Sequence, residues 1–355
     1  LHLIHTLSLH DALPIFVNSD VMPVGLQMLR ASCNWMGALG IIVIALNFLP
    51  TWQFVGRSLV ITEIAGPGFM KINTTFRKTY RRALAIYISL TAIQYVLLRI
   101  SGLKKSDSLI TSLSNISTAG LMNLNNGNIV GYGIAVKIII TIFAFISSLN
   151  FSILLLATMK KFKELSEEPE LKFHSGRIII TAGFITAILY ITYNRGLSLL
   201  KEFGNVLMQV ISYFTTAGYQ ITDTSRWPGA ACAIILVQMF IGACAISSGG
   251  GIKAARTIIA VKTASRTLYH HIHKNAIRPI KYSGTPLKLN TLLRCNLYIV
   301  MFVVTYLFGT LILSTDLDLN SALNTSLAML TNTGTYISQT ATNGIIDDYS
   351  ILSKI

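Results

Sequence analysis

Charged residues are scarce in this chain. They make up 12% of its 355 residues, whereas hydrophobic residues make up 52%. The mean hydropathy of +0.59 lies outside the range of ordinary soluble proteins. About 20 apolar residues cross the hydrocarbon core of a bilayer as a helix, and backbone in lipid must bond internally. The composition therefore predicts a polytopic helical membrane protein, with near-continuous apolar stretches at Trp35–Pro50, Ala83–Ile100, Ile129–Met159, Ile178–Tyr193, Ala230–Ala245 and Leu292–Leu313.

Acidic residues are also few, 14 against 29 lysines and arginines. Such a basic balance would suggest a nucleic-acid partner if the charges shared one face. They fall instead in alternate loops, which the positive-inside rule places in the cytoplasm. These loops carry Arg57, Lys71, Arg77, Lys78, Arg81 and Arg82, then Lys160, Lys161, Lys163 and Lys172, then Lys262, Arg266, Lys274, Arg278, Lys281 and Lys288. The charge therefore indicates membrane topology, and we expect membrane lipid and no nucleic acid as a partner.

Cysteines and catalytic groupings are sparse too. The four cysteines, Cys33, Cys232, Cys244 and Cys295, lie in or beside apolar segments without metal or redox spacing. No Ser/His/Asp, Cys/His or paired-carboxylate arrangement occurs at a plausible site, so we expect neither an enzyme nor a bound organic cofactor. The run His270–His273 leaves a metal site open, but no second ligand cluster accompanies it.

A short turn is what the chain repeats. Each copy follows an apolar run too short to cross a bilayer, and the first two copies are followed by a run that is long enough. This pattern is typical of a re-entrant pore helix that ends in a filter turn. A glycine there lets successive carbonyl oxygens face one axis, where they can replace the hydration shell of a cation such as potassium. The predicted filter residues are Ser117, Thr118, Ala119 and Gly120 in the first turn, Thr215, Thr216, Ala217 and Gly218 in the second turn, and Thr331, Asn332, Thr333 and Gly334 in the third turn.

The turns recur at intervals near 100 residues: 98 from Gly120 to Gly218 and 116 from Gly218 to Gly334. One helix-dip-helix unit cannot enclose a pore, whereas four around an axis can. The spacing predicts an all-α membrane protein of pseudo-fourfold repeats, potassium-channel-like, each with a helix, a re-entrant pore helix, a filter turn and a helix. We expect the first and last repeats to be incomplete in this chain.

The predicted boundaries follow from this repeat. Residues 1–16 resemble a non-native, artefactual segment. Residues 17–82 hold the returning helix of repeat 1 and a cytoplasmic loop, residues 83–176 form repeat 2, residues 177–290 form repeat 3, and residues 291–355 form repeat 4 without its last helix.

The helices expected within repeats 2 to 4 follow the same order. They are Ala83–Ile100, Asp107–Ile116 and a long returning helix Ile129–Met159, then Arg177–Asn194, Leu197–Phe214 and a helix from Trp227, then Leu292–Leu313 and Asn320–Leu330. The mixed-charge linker Lys160–Gly176 is expected to be solvated.

The helix from Trp227 contains a glycine-rich interruption. Each glycine costs about 1 kcal/mol against alanine inside a helix, so three in succession predict that the helix opens. Backbone that is not helical is tolerated at membrane depth where it lines a cavity. We therefore predict a loop that obstructs the pore below the filter, with a packing kink without gating as the alternative; the spacing around Lys253 does not fit a phosphate loop. The predicted gate residues are Gly242, Ser247, Ser248, Gly249, Gly250, Gly251 and Lys253.

Taken together, these residues resemble the Trk/Ktr/HKT family of potassium transporters, and within it the bacterial TrkH/KtrB type of membrane subunit. The matching pieces are Asn34–Val43, Glu63–Pro67, the three turns and the glycine-rich stretch through Lys253. The resemblance runs from about Phe16 to the end and rests on the combination, since each short motif alone is weak.

The resemblance implies a multi-pass protein of the bacterial inner membrane that takes up potassium, passively or by symport with sodium or protons. It also implies a homodimer, a gate in the third repeat, and a cytosolic TrkA/KtrA-like nucleotide-binding regulatory subunit. The chain departs from the family in lacking a first filter and a last returning helix. We therefore expect this chain to be a fragment that cannot close a pore and its full-length parent to close one. A sodium-preferring relative and a non-conducting membrane fragment stay open as alternatives.

Overall fold

The computed structural model describes residues 23–51, 76–119, 124, 128–193, 199–224, 227–273, 279–282, 285–287 and 289–334. Residues 1–16, the loop Glu63–Gly68 and Gly120 lie outside the described residues. In chain order the helices are α1 (Val24–Thr51), α2 (Phe76–Ile100), α3 (Lys105–Ile116), α4 (Ile134–Ser148), α5 (Phe151–Thr158), α6 (Phe162–Glu167), α7 (Pro169–Tyr193), α8 (Leu199–Phe214), α9 (Gly229–Ile241), α10 (Ala254–Ile272), α11 (Leu289–Leu313) and α12 (Leu319–Leu330). A short antiparallel hairpin pairs β1 (Lys281–Tyr282) with β2 (Thr285–Pro286), Lys281 opposite Pro286.

Three helices in the described part of the chain are long and apolar enough to cross a membrane: residues Arg81–Ile100 of α2, together with α7 and α11. The pair α4 and α5 passes the same test as one span, although the two helices are bent by 101° relative to each other. Large apolar side chains such as Ile191 and Leu311 stay exposed on these helices. Such surfaces suit contact with lipid, because hydrocarbon does not penalise exposed apolar groups.

The short helices are those predicted from the repeated turns. α3, α8 and α12 end at Ile116, Phe214 and Leu330, the residues at which the sequence pattern places their ends. Each packs against the long helix that precedes it: α3 against α2, α8 against α7, and α12 against α11. Asp318 caps α12, since its carboxylate accepts from the backbone N–H of Ser321 at 3.3 Å.

The predicted continuous helix Ile129–Met159 is wrong. α4 ends at Ser148, Leu149 takes an extended conformation, and α5 begins at Phe151. The side chain of Asn150 accepts from the N–H of Ser152 at 2.9 Å, so it caps α5. Ser148 Oγ donates back to the carbonyl of Phe145 at 2.8 Å, a local bond that competes with helix continuation. Leu149 and Asn150 are called the α4–α5 bend below.

The predicted solvated linker Lys160–Gly176 is also wrong over its second half. α7 begins at Pro169, and Glu170 and His174 within it are only 2% and 0% exposed. Proline suits the first helical position, where its missing N–H has no intrahelical partner. The first turns of α7 therefore place side chains in the buried interior. The mixed charge of the segment led to the wrong prediction, because charged residues usually indicate a solvated segment.

Two interior clusters hold the helices around the turns. In one, Trp35 of α1 donates from Nε1 to Thr91 Oγ1 of α2 at 3.0 Å, and its ring packs against that of Tyr87 at a tilt of 37°, with the centroids 5.1 Å apart. In the other, Tyr306 of α11 meets Phe240 of α9 edge to face at 4.7 Å. These contacts join α1 to α2 and α11 to α9.

Candidate functional site

The three turns share two backbone features among their described residues. Their second residues all have positive φ: 47° at Thr118, 59° at Thr216 and 55° at Asn332. In each turn the N–H of the third residue donates to a carbonyl five residues back: Ala119 to Ser114 at 3.0 Å, Ala217 to Ser212 at 3.1 Å and Thr333 to Ala328 at 2.9 Å. A β-branched threonine at positive φ is strained, typically by about 1–3 kcal/mol, and persists only where its surroundings impose it.

The fourth residue has the same backbone conformation in the second and third turns. Gly218 and Gly334 have φ of 70° and 75°, a region that favours glycine because it has no Cβ. The described residues of the three turns are buried except Gly334. Each turn follows the C-terminal end of a short helix, where the helix dipole places partial negative charge. Such ends favour a cation without needing an acidic side chain in the turn.

Hydrogen bonds from α8 fix the chain around the second turn. Gln209 donates from Nε2 to the carbonyl of Tyr219 at 3.1 Å, and its Oε1 accepts from the N–H of Ile221 at 2.7 Å. Ser212 Oγ donates to the same Tyr219 carbonyl at 2.7 Å. The N–H of Ile129 then donates to the carbonyl of Gln220 at 2.9 Å, which joins the segment after the first turn to the segment after the second.

The predicted break in the helix from Trp227 is confirmed. α9 ends at Ile241 and α10 begins at Ala254, and we call the intervening residues Gly242–Lys253 the glycine loop. Within it Ser247 Oγ donates to the carbonyl of Cys244 at 2.6 Å, and the N–H of Ala243 donates to the carbonyl of Gly250 at 3.2 Å. The loop is therefore an ordered structure with its own internal bonds.

The middle of the glycine loop contacts all three turns. Thr118 of the first turn donates from Oγ1 to Ser248 Oγ at 3.0 Å. The N–H of Gly250 donates to Oγ1 of Thr216 in the second turn at 2.9 Å. A Cβ added at Gly250 would lie 1.9 Å from the carbonyl oxygen of Thr331 in the third turn, so only glycine fits there. Residues 248–250 thus bring together turns that are far apart in the sequence.

The remaining predicted gate residues flank this contact. Gly242 and Gly251 lie side by side, since a Cβ added at Gly251 would be 2.7 Å from the Cα of Gly242. Lys253 donates from Nζ to the carbonyl oxygens of Ser247, at 3.3 Å, and of Gly249. The lysine therefore satisfies loop carbonyls that the broken helix leaves without intrahelical partners.

Sequence reasoning missed the residues of α7 that reach the glycine loop. Glu170 accepts the N–H of Ala245 at 2.9 Å through Oε1, and Arg177 donates to the carbonyl of Gly242. His174 lies between them in sequence and contacts Arg177. The only signal available was their i, i+4, i+7 spacing, which places them on one helix face.

Among the described residues, no group of three or more His, Cys, Asp or Glu side chains could hold a metal ion. His270 and His271 lie exposed in the last turn of α10. The polar atoms at the turns are backbone, hydroxyl and carboxamide groups, whose oxygens suit a weakly held alkali cation more than a transition metal.

Membrane-crossing helices combined with short helices that end at buried turns define a multi-pass α-helical membrane protein. The chain belongs to the TrkH family of cation transport proteins, whose family model matches residues 5–344. That family consists of transporters and not of enzymes.

Comparison with individual proteins gives the same family. The chain is 30% identical over 275 residues to the Trk system potassium uptake protein TrkH of Halomonas elongata, an alignment that covers 75% of this chain and 55% of that protein. It is 29% identical over 335 residues to TrkH of Salmonella typhimurium, covering 92% of this chain and 68% of the relative. The chain thus spans between about half and two thirds of the length of these relatives.

The fold also matches a solved structure. The crystal structure of the potassium transporter TrkH from Vibrio parahaemolyticus superposes with a TM-score of 0.78 at 24% sequence identity, covering 95% of this chain and 69% of that one. The match shows that the helices of this chain follow the same architecture.

Proposed function

We propose that the protein takes up potassium ions across the bacterial inner membrane through a passage lined by backbone carbonyls of the three turns. The observation that carries this proposal is the convergence of three identically bent turns on residues 248–250. One such turn presents too few carbonyls to replace a hydration shell, whereas several around one point can. The names of the relatives from Halomonas elongata and Salmonella typhimurium support potassium as the ion.

The glycine loop is the proposed gate of this passage. Its residues 248–250 lie directly against the turns, so an ion that leaves the turns on the loop's side must displace them. A loop is easier to displace than a continuous helix, because fewer backbone hydrogen bonds must break. The same contacts are the reason to prefer a gate to a simple packing kink, which would not need to touch every turn.

The pseudo-fourfold arrangement, the homodimer and the TrkA/KtrA-like regulatory subunit are further parts of this proposal. The three described units, each a long helix followed by a short helix and a turn, support the repeat. The exposed apolar side chains of α2, α7 and α11 support contact with lipid. The dimer and the regulatory subunit rest on family resemblance alone, and symport with sodium or protons stays a prediction.

The test is growth and uptake in a bacterial strain that lacks potassium uptake. The protein is expressed from its complete reading frame, and growth on low potassium and uptake of rubidium, with and without competing sodium, are measured. We expect growth rescue and rubidium uptake that excess sodium does not abolish. Protein present in the membrane without rubidium uptake, or with uptake of sodium instead, would contradict the proposal.

A further inference from the structure

A broken helix at membrane depth must find partners for its free backbone groups, because none is available from lipid. Three charged side chains supply hydrogen-bond partners for the backbone of the glycine loop. Glu170 accepts from Ala245, Arg177 donates to the carbonyl of Gly242, and Lys253 donates to the carbonyl of Ser247 at 3.3 Å. Lys253 belongs to the loop itself, whereas Glu170 and Arg177 belong to α7.

The same face of α7 also holds the α4–α5 bend. Oε2 of Glu170 accepts from Nδ2 of Asn150 at 2.6 Å, so one carboxylate joins the bend and the loop. His174 Nε2 lies 3.1 Å from Ser148 Oγ and its Nδ1 lies 2.8 Å from Arg177 Nη2. Arginine can only donate, so Nδ1 accepts and the proton of a neutral His174 is on Nε2, facing Ser148.

The bend and the loop also touch each other directly. The N–H of Cys244 donates to the carbonyl of Ser148 at 3.1 Å, and the N–H of Phe151 donates to the carbonyl of Ile246 at 3.2 Å. The two interrupted helices therefore meet at their breaks, and α7 braces the junction from one side.

Arg177 also connects α7 to the residue that precedes the second turn. Its guanidinium lies 4.8 Å from the ring centroid of Phe214, the residue that immediately precedes that turn. It also donates to the carbonyl of Gln238 in the last turn of α9, at 3.3 Å. One side chain thus contacts the end of the pore helix α8 and the start of the glycine loop.

We propose that Glu170, His174 and Arg177 form a clamp that holds the glycine loop against the three turns and so sets how often the passage opens. The proposal rests on the proposed gate. Charged side chains within a membrane-spanning helix are costly and are retained where they have a function. Here Glu170 and Arg177 are 2% and 7% exposed, and the contacts given above go to the two breaks and the second turn. The clamp residues are positioning residues, because these contacts are with the loop and the bend and not with the path of the ion.

The substitutions that test the clamp are Glu170→Gln and Arg177→Gln. Glutamine at position 170 keeps one acceptor oxygen, but its NH2 group then faces one of the two present donors, Asn150 Nδ2 or the N–H of Ala245. Glutamine at position 177 is shorter than arginine and loses the bond to Gly242 or the bond to His174. Both are introduced into the complete reading frame and into a version lacking Ile246–Gly250. Thr186→Val is the matched control, since Thr186 is buried on α7 and donates only to Ala182 in its own helix.

We expect each clamp substitution to raise rubidium uptake in the absence of activating conditions by at least about fivefold, the effect of losing the net contribution of one hydrogen bond. The preference for rubidium over sodium should not change, and the loop-deleted version should show no further rise. Unchanged uptake at normal membrane levels would overturn the clamp, as would an equal rise in the loop-deleted version. Thr186→Val should behave as the unmodified protein.

Hydrogen–deuterium exchange of the purified protein keeps the test independent of transport. Amides of residues 242–253 should exchange faster in either variant than in the unmodified protein, and unchanged protection would overturn the clamp. If Glu170→Gln does not reach the membrane, Arg177→Lys takes its place, because lysine keeps the charge without the planar fork. Absence of uptake by the unmodified protein would contradict the proposed function, and the exchange measurement would still decide whether the clamp exists.

Discussion

Two returning helices of this protein are interrupted, and the interruptions differ in how they are stabilised. The α4–α5 bend consists of Leu149 and Asn150 and is capped by its own side chain, through the 2.9 Å bond from the N–H of Ser152 to Asn150. The glycine loop is longer, and its backbone depends on α7, on Lys253 and on the turns for partners.

The difference in hydrogen-bond partners indicates which of the two interruptions can move. The cap bond of the bend joins Asn150 to Ser152, two residues further on, and is therefore kept even if the bonds from the bend to α7 and to the glycine loop break. A loop whose partners lie on other elements has two states available to it, bound to those partners or released from them. We therefore expect the bend to be a fixed support and the glycine loop to be the part that moves. The following predictions test that contrast in order of expected effect.

Deletion of Ile246–Gly250 should have the largest effect. It removes the loop contacts with all three turns, each hydrogen bond worth about 1 kcal/mol, and about 1.4 kcal/mol corresponds to a tenfold change in an equilibrium. We expect rubidium uptake without activation to rise by more than about tenfold in cells that contain normal amounts of the protein. No rise would favour a packing kink over a gate.

Gly250→Ala should have the next largest effect. Its Cβ would lie 1.9 Å from the carbonyl oxygen of Thr331, and neither backbone can yield cheaply. Overpacking of this kind costs about 1–3 kcal/mol, which the loop can relieve by moving away from the third turn. Uptake should rise by about tenfold. Gly183→Ala on α7, where an added Cβ meets nothing within 4 Å, is the control and should leave uptake unchanged.

Gly218→Ser should alter selectivity and not the gate. Gly218 has a φ of 70°, where a side chain costs about 1–2 kcal/mol, and the strain would displace a carbonyl of the second turn. We expect the preference for rubidium over sodium to fall by about fivefold, measured as uptake with competing sodium. Gly204→Ser, on α8 where an added Cβ meets nothing within 4 Å, should keep the preference. Unchanged sodium exclusion in Gly218→Ser would count against the filter assignment.

Asn150→Ala should have the smallest effect on transport. It removes the cap of α5 and one bond to Glu170, which costs about 1 kcal/mol and should lower the midpoint of thermal unfolding in detergent by a few degrees. If the bend is the fixed part, as we expect, uptake should rise less than in Arg177→Gln. A larger rise than in Arg177→Gln would show that the bend, and not the loop, is the moving element.

Much of the architecture could be read from the residues. The short helices end at Ile116, Phe214 and Leu330 as expected, because each apolar run stops at a turn of small polar residues followed by glycine. The break after Ile241 was also predictable, since consecutive glycines weaken any helix. The α4–α5 bend was not anticipated, because its signal is a serine pair and an asparagine within a strongly apolar run, and such residues also occur in continuous helices.

The sequence by itself determined the membrane class, the positions of the three turns and the place where a helix must open. Those features depend on local composition, on chain length and on the conformational range of glycine, which act within a few residues of one another. Only the tertiary structure decided that residues 248–250 touch all three turns and that Glu170 and Arg177 form hydrogen bonds with the loop. These contacts join residues from 34 to 130 positions apart, and the partner of a buried charge is set by helix packing that no local pattern encodes.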